Sequence, residues 1–340
     1  MTLRLPALAC LTVITLSACD RQDAGGIDVA SALGGEADAG YARATQPRTF
    51  VFPDDHNAHP TYRNEWWYLT GQVEAADGKR FGYQVTFFRI ALTPDAAPRD
   101  SAWATRQLWM GHAALTEIDG EAHHHEQRLA RDALGLAGQT REPFAVWLED
   151  WSLRGKDGGS FPWQLSIKTG EFALALTLEP RREPVLQGDA GLSQKSAATG
   201  NASYYYSITR LATRGTITTK NGDPTEVSGS SWLDREWSTS ALGEDQIGWD
   251  WFSLQLASGD DLMLYRLRRR GGVTDPYSAG SLVSANDKKT KFTADEFNLE
   301  VLRWWASPEG ARYPVTWRLR LPDAGLDLHV DALVDDQEMA

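Results

Sequence analysis

Cysteine is almost missing from this chain: Cys10 and Cys19 are the only two in 340 residues. The remainder therefore has no disulfide, no zinc–thiolate site and no cysteine nucleophile, so its stability has to come from a packed core. Three catalytic signatures are also lacking. There is no glycine-rich phosphate loop and no His-Glu-x-x-His stretch, which removes the P-loop and zincin chemistries. Ser230 and Ser231 follow Gly229, yet no glycine stands two residues beyond either, so the sharp elbow of an α/β-hydrolase is unsupported. Sustained helical periodicity is absent as well. Basic residues are in deficit, 34 Lys and Arg against 46 Asp and Glu, for a formal net charge of −12. That balance argues against nucleic acid, or an anionic lipid surface held through the general field, as a partner.

The N-terminus carries a targeting signal. Arg4 is followed by an apolar run, Leu5 to Leu16, too short to span a bilayer as a stable helix, and residues 1–18 read as a signal peptide. Leu16-Ser-Ala-Cys19 resembles a bacterial lipobox, in which small residues admit the signal peptidase and the cysteine thiol takes a diacylglyceryl group. Cys19 is then expected to be the lipidated mature N-terminus, held in the membrane by several acyl chains. An ordinary secretory signal with a chance cysteine is the alternative. Asp20 resembles the inner-membrane retention signal of enteric bacteria and leaves the choice between inner and outer membrane open. Residues 19–48, rich in Gly, Ala and Asp, have the composition of a flexible tether.

From Thr49 onward short apolar–polar alternations are separated by turn signals. Arg80 to Arg89, Phe172 to Leu178, Ser203 to Arg210, Gly215 to Thr219, Ser231 to Trp237, Trp249 to Leu256 and Leu262 to Arg268 read as strands, with turns at Asp77-Gly78, Asn221-Gly222 and Ser258-Gly259. The expectation is an all-β protein of sandwich or barrel type. The length after the tether fits two domains, 49–222 and 223–340, hinged at Lys220-Asn-Gly-Asp-Pro224.

Aromatic residues sit beside acids, most densely at Trp232-Leu-Asp-Arg-Glu-Trp237 and at Gly248-Trp-Asp-Trp251. If the first stretch is extended, alternation puts Trp232, Asp234 and Glu236 on one face and Leu233, Arg235 and Trp237 on the other. Acids against indole walls lose hydration, which raises a carboxyl pKa and keeps a proton available near neutral pH, while ring faces stabilise a nearby cation. The alternative is a tryptophan-filled β core whose acids pair with arginines. Asp250 alternates with Trp249 and Trp251, so it is expected to point away from them into an ion pair.

The histidines carry weaker signals. His123-His-His125, with Glu121 and Glu126 nearby, offers alternate ligands on one strand face, but Gly120 and Ala122 provide nothing to orient them. A polar surface loop is the simpler reading, and no metal or cofactor is expected. His56 and His59 are expected to hold the turn before the Glu65-Trp66-Trp67 strand by hydrogen bonds. His112 reads as a buried histidine unless it faces a cleft.

His59-Pro-Thr-Tyr-Arg-Asn-Glu-Trp-Trp-Tyr68, Trp109-Met-Gly-His112, Ala202-Ser-Tyr-Tyr-Tyr-Ser207, Trp232-Leu-Asp-Arg-Glu-Trp-Ser-Thr-Ser240 and Gly248-Trp-Asp-Trp-Phe-Ser-Leu-Gln255 resemble, in order, the AttH-like branch of the carotenoid 1,2-hydratase (hydroxyneurosporene synthase) superfamily. The resemblance runs from about Phe50 to the end of the chain. It implies two consecutive lipocalin-like β-barrel domains with a cleft near their junction. The hydratase branch adds water across a terminal isoprenoid double bond by proton transfer from an aspartate in a Gly-Tyr-x-Asp stretch, assisted by a His-x-Trp pair on an earlier strand. By that resemblance Asp234 is the catalytic acid, and Trp232 replaces the tyrosine. The earlier pair falls near Tyr204 and Tyr206, and Glu236, Trp249 and Trp251 join them as substrate-binding residues. The histidine of the pair has no counterpart here, which leaves open a binding site built on an enzyme's scaffold. Relatives continue beyond the segment resembling Leu326 to Glu338 with further strands. The second barrel is therefore expected to be incomplete at its C-terminus, either because the chain is a piece or because a partner covers the open edge.

The reading that results is a periplasm-facing lipoprotein of the bacterial envelope that binds a hydrophobic isoprenoid or lipid-like ligand in an aromatic cleft, with acid-catalysed hydration of a C=C bond as its enzymatic form. The alternative is a non-enzymatic lipid carrier or an accessory lipoprotein of an envelope transporter. Hydrolysis rests on a family label alone.

Overall fold

The computed structural model describes residues 40–94, 100–156, 161–220, 222–240, 242–243 and 245–339. The signal peptide, Cys19 and residues 20–39 of the expected tether lie outside the described residues, and so does Asn221 of the expected hinge; residues 40–48, also expected in the tether, pack on the barrel, with Ala44 fully buried. Among the described residues twenty strands follow one another, with four single-turn 3₁₀ helices. They are β1 (Asn64–Ala75), β2 (Arg80–Ala91), β3 (Gln107–Glu117), β4 (Ala122–Arg131), β5 (Ala137–Thr140), β6 (Ala145–Leu148) and β7 (Trp151–Gly155). Next come β8 (Trp163–Lys168), β9 (Phe172–Pro180), β10 (Val185–Leu186), β11 (Leu192–Gln194), β12 (Ala202–Thr219) and β13 (Thr225–Ser238). The last seven are β14 (Gln246–Gln255), β15 (Asp261–Arg269), β16 (Ala279–Val283), β17 (Lys289–Thr293), β18 (Asn298–Ala306), β19 (Arg312–Leu321) and β20 (Leu326–Asp331).

The first sheet runs β4-β3-β2-β1-β13-β12-β9-β8-β7-β6-β5, with β10 and β11 also paired to β12, and curls into a nearly closed, lipocalin-like barrel. Its neighbours are antiparallel, so inward and outward side chains alternate along each strand. The inward set fills the barrel: Trp67, Phe87, Trp109, Trp151, Trp163 and Trp237 are all essentially inaccessible. At its centre Glu65 is fully buried between Arg89 and Arg235, and the Arg235 guanidinium lies 3.7 Å from the Trp67 ring centroid. Burial by itself would raise the Glu65 carboxyl pKa, but the two guanidiniums outweigh it and hold the group well below the usual range.

Residues before β1 close one end. Phe50 packs against Tyr204, Tyr206 and Trp237. His59 stacks on Trp237 at 3.8 Å, and the His56 backbone oxygen accepts from Trp67 Nε1 at 2.9 Å. His59 Nε2 lies 3.0 Å from Asp55 Oδ1, the turn-holding bond expected of it, whereas the His56 ring bonds the Tyr206 hydroxyl on β12 at 2.6 Å. Side chains fill the barrel interior.

The remaining strands form a four-stranded sheet, β14-β15-β16-β17, and a three-stranded sheet, β18-β19-β20, around Leu262, Leu264, Phe292, Leu299, Trp317 and Leu319. Alternation along β15 divides its side chains between two cores. Leu262 and Leu264 enter this one, whereas Met263, Tyr265 and Leu267 meet Tyr205 and Trp232 on the outer face of the barrel.

Two expectations are corrected here. The segment around Gly222 is not a hinge between domains: it joins β12 to β13, which are hydrogen-bonded neighbours, and β13 is also paired with β1. Residues 223–238 therefore belong to the first barrel, and the division falls between β13 and β14. Second, His123, His124 and His125 lie on β4 and not in a loop. His123 Nδ1 sits 2.9 Å from Thr116 Oγ1 on β3.

Candidate functional site

The outer face of β3, β2, β1, β13 and β12 is the floor of a cavity of about 390 Å³, and Trp249 and Trp251 of β14, with Tyr265 and Leu267 of β15, form its roof. Strand register lays the floor in rows. Ser207, Asp234, Tyr68, Thr86 and His112 stand side by side across five strands. Tyr205, Glu236, Trp66 and Phe88 make the next row. Along β13, Trp232, Asp234, Glu236 and Ser238 share the outward face while Leu233, Arg235 and Trp237 point into the barrel core.

Asp234 is 4% exposed and carries no ion pair among the described residues. Its Oδ1 accepts from Ser207 Oγ at 2.6 Å and Trp232 Nε1 at 2.7 Å, and its Oδ2 from the Tyr205 hydroxyl at 2.8 Å. Burial pushes its carboxyl up to about 7; the three donors pull against that shift and the nearby Glu236 adds to it. The adjacent arginine, Arg235, points to the opposite side of the sheet, so the bland pairing of this acid with an arginine does not occur.

The Tyr205 hydroxyl also accepts from Trp251 Nε1 at 3.3 Å, and burial raises its pKa well above the ordinary value, with Asp234 and Glu236 adding to the shift. The Trp251 ring stands edge-on to Tyr68 at 5.2 Å and to Trp232 at 6.5 Å. The acid is thus enclosed by π faces and by hydroxyls that hold their protons.

Glu236 is held differently. Its Oε1 takes Ser203 Oγ and lies 3.2 Å from Lys195 Nζ. Lys195 also bonds Ser193 Oγ at 3.0 Å and sits 4.5 Å from the Tyr265 ring centroid. Burial opposes the charge on Lys195, yet Glu236 and the other acids raise its pKa.

Of the sequence-predicted residues, Asp234, Glu236, Trp249 and Trp251 line the cavity and Trp232 bonds the acid. Tyr204 and Tyr206 do not reach it. They face the opposite side of β12, where Tyr204 donates to Gln46 O at 2.9 Å and the Tyr206 hydroxyl lies 2.6 Å from His56 Nδ1. The residue between them, Tyr205, is the one at the site. His112 does face the cavity, with Nε2 2.9 Å from Gln127 Oε1, and burial lowers its pKa. Asp250 points away into a pair with Arg266 at 2.7 Å, as expected. Sequence reasoning missed Tyr205, Ser207, Tyr68 and Lys195. Parity along Ser203 to Ser207 carried a signal for the first two, but it needed the register against β13 to be read. Among the described residues no group of three or more His, Cys, Asp or Glu is placed to hold a metal.

No curated protein matches the chain. Among solved structures, an AttH protein of Nitrosomonas europaea is similar at 33% identity with a TM-score of 0.74, covering 82% of this chain and 84% of that one. Kievitone hydratase of Nectria haematococca shares the fold at 13% identity with a TM-score of 0.66, covering 88% of this chain and 86% of that one. The AttH-like family matches residues 43–340. This chain belongs to the AttH-like family.

Proposed function

We propose that the cavity binds an apolar isoprenoid or lipid-like ligand and that Asp234 donates a proton to one of its C=C bonds, with water completing the hydration. The observation that carries this reading is a buried carboxyl without a cation, held near pH 7 in an aromatic-walled cavity. A general acid is most effective when its pKa lies near the working pH. Protonation of a trisubstituted alkene leaves a tertiary cation, which the faces of Trp251, Trp249 and Tyr205 stabilise until water forms the C–O bond and returns a proton to the Asp234 carboxylate. No lysine or arginine pairs with the acid, so only its three neutral donors favour the ionised form, and burial outweighs them. The fold shared with kievitone hydratase accommodates such chemistry but does not assign it.

The second reading, a carrier, is favoured by the three donors on Asp234, which already satisfy both of its oxygens. Farnesol in oxygen-18 water separates the two. A hydratase incorporates the label and loses incorporation in Asp234→Asn while tryptophan fluorescence still reports binding. A carrier binds without incorporation in either form. Loss of binding together with a large drop in melting temperature would withdraw Asp234 from both readings.

Anchoring of the mature chain in the bacterial envelope through lipidated Cys19 forms part of the same proposal, supported by Leu16-Ser-Ala-Cys19. Mass spectrometry of the mature N-terminus should show a diacylglyceryl cysteine, and cleavage that leaves an unmodified Cys19 would refute it.

A further inference from the structure

The cavity is not uniformly apolar, and its two ends differ in chemistry. Around Asp234 the walls are the rings of Trp249, Trp251 and Tyr68, with Thr86 and His112 in the same row, and the row of Glu236 adds Trp66 and Phe88. Further along β13 stand two groups that the hydration reading leaves idle. Glu236 uses only Oε1, for Ser203 and Lys195, and Oε2 has no hydrogen-bond partner among the described residues. Ser238, also a wall residue, is 1% exposed and its hydroxyl is without a partner. A buried hydroxyl left unbonded costs stability unless something bonds it.

We infer that the ligand of this cavity is an amphiphile, an isoprenoid-sized apolar body carrying a neutral hydroxyl or phenol, with the oxygen lodged between Glu236 and Ser238 and the apolar body lying toward Asp234. The inference rests on reading the cavity as the ligand site and adds the ligand's polar end. Positions 236 and 238 are two residues apart on one strand face, roughly 6–7 Å between backbones, which is close to the span of two consecutive hydrogen bonds. A hydroxyl there donates to Glu236 Oε2 and accepts from Ser238, whose Oγ reaches it by rotation about a single side-chain bond.

Charge selects against the alternatives. A carboxylate ligand would meet the Glu236 anion, an ammonium would meet Lys195, and a plain hydrocarbon would leave both protein groups unbonded. Size agrees as well: about 390 Å³ suits an ordinary small ligand, whereas the whole of a carotenoid would extend beyond it. The same spacing sets where chemistry falls. Asp234 lies one strand repeat from Glu236, so the reacting double bond is several bonds distant from the hydroxyl, not adjacent to it.

The test is a fluorescence titration of the full chain with three probes of equal chain length: farnesol, the hydrocarbon lacking its hydroxyl, and farnesoic acid. Farnesol is expected to bind at least tenfold more tightly than either of the others. Ser238→Ala removes one partner without stranding a charge. It should weaken farnesol several-fold and leave the hydrocarbon unchanged, with the melting temperature preserved. Glu236→Gln keeps an acceptor for Ser203 and should relieve the exclusion of farnesoic acid. Equal affinity for farnesol and the hydrocarbon overturns the polar end while the apolar ligand site stands. Tightest binding of the acid overturns it in favour of anion capture by Lys195. If no probe perturbs the fluorescence, the ligand-site reading itself fails and takes this inference with it.

Discussion

Glu65 and Asp234 are both buried carboxylates on one sheet, and the side of the sheet decides their chemistry. Glu65 faces the barrel interior between two guanidiniums and is held ionised; Asp234 faces the cavity among neutral donors and is pushed up to about 7 by burial. Replacement by the neutral amide should therefore act in opposite directions. Glu65→Gln leaves Arg89 and Arg235 buried without their anion and is expected to cost about 3–5 kcal/mol in chemical denaturation. For Asp234, the folded pKa lies above the unfolded value, so between about pH 4 and pH 7 the folded state binds more protons than the unfolded one, and stability falls as pH rises through that window. Asp234→Asn removes this dependence. Melting temperatures measured from pH 4 to pH 8 should decline more steeply for the unsubstituted chain than for the variant. Parallel profiles would show that Asp234 is ionised throughout.

At the scale of elements, β13 supplies the acid because period-two alternation carries its outward face along Trp232, Asp234, Glu236 and Ser238, and this much was legible in the sequence. The same rule could not place β12, where Tyr204, Tyr205 and Tyr206 offer aromatic rings to both faces. The choice is made by pairing Ser207 with Asp234 and Tyr205 with Glu236, a register between strands that no local pattern encodes. Lys195 was invisible for a related reason: it follows the three-residue β11 in no motif, and only folding brings it to Glu236. Close backbone approach keeps β13 in place. A Cβ built on Gly229 would lie 2.1 Å from Gln72 O and 2.8 Å from Val73 Cα on β1, and backbone has no rotamer with which to yield. Gly229→Ala should destabilise by about 1–3 kcal/mol or more in urea denaturation. Gly82→Ala on β2, whose nearest neighbour would be Thr116 Cβ at 3.8 Å, should be tolerated. Equal effects would mean that β1 and β13 separate easily.

For the molecule as a whole, the all-β class and the aromatic acid cluster could be read from the sequence, whereas the boundary could not. Turn chemistry marks where a chain reverses, and a hairpin within one sheet uses the same polar residues as a linker between two. The decisive contact is β1 with β13, which joins residues 64–75 to residues 227–238 and is too distant in sequence to show as a pattern. A physical test follows from the two possible cuts. A chain ending at Gly222 loses β13, which leaves β1 and β12 as bare edges and uncovers the inward faces of Leu233, Arg235 and Trp237's neighbours. It is expected to aggregate or to lack a cooperative melt. A chain ending at Gly243 keeps the complete strand path from β4 to β5 and should fold with a β-rich dichroism spectrum. That longer fragment nevertheless lacks Trp249, Trp251, Tyr265 and Leu267, the roof of the cavity, and the partners that Asp261 provides to Arg182 at 3.1 Å and Thr209 at 2.7 Å. Its Tyr205 and Trp232 become solvent-exposed, the desolvation that raises the Asp234 carboxyl is lost, and its pKa should fall back toward the ordinary carboxylate range. Farnesol should then leave its tryptophan fluorescence unchanged. Cooperative folding of the shorter fragment would contradict the strand order, and ligand binding by the longer one would move the site from the junction into the barrel.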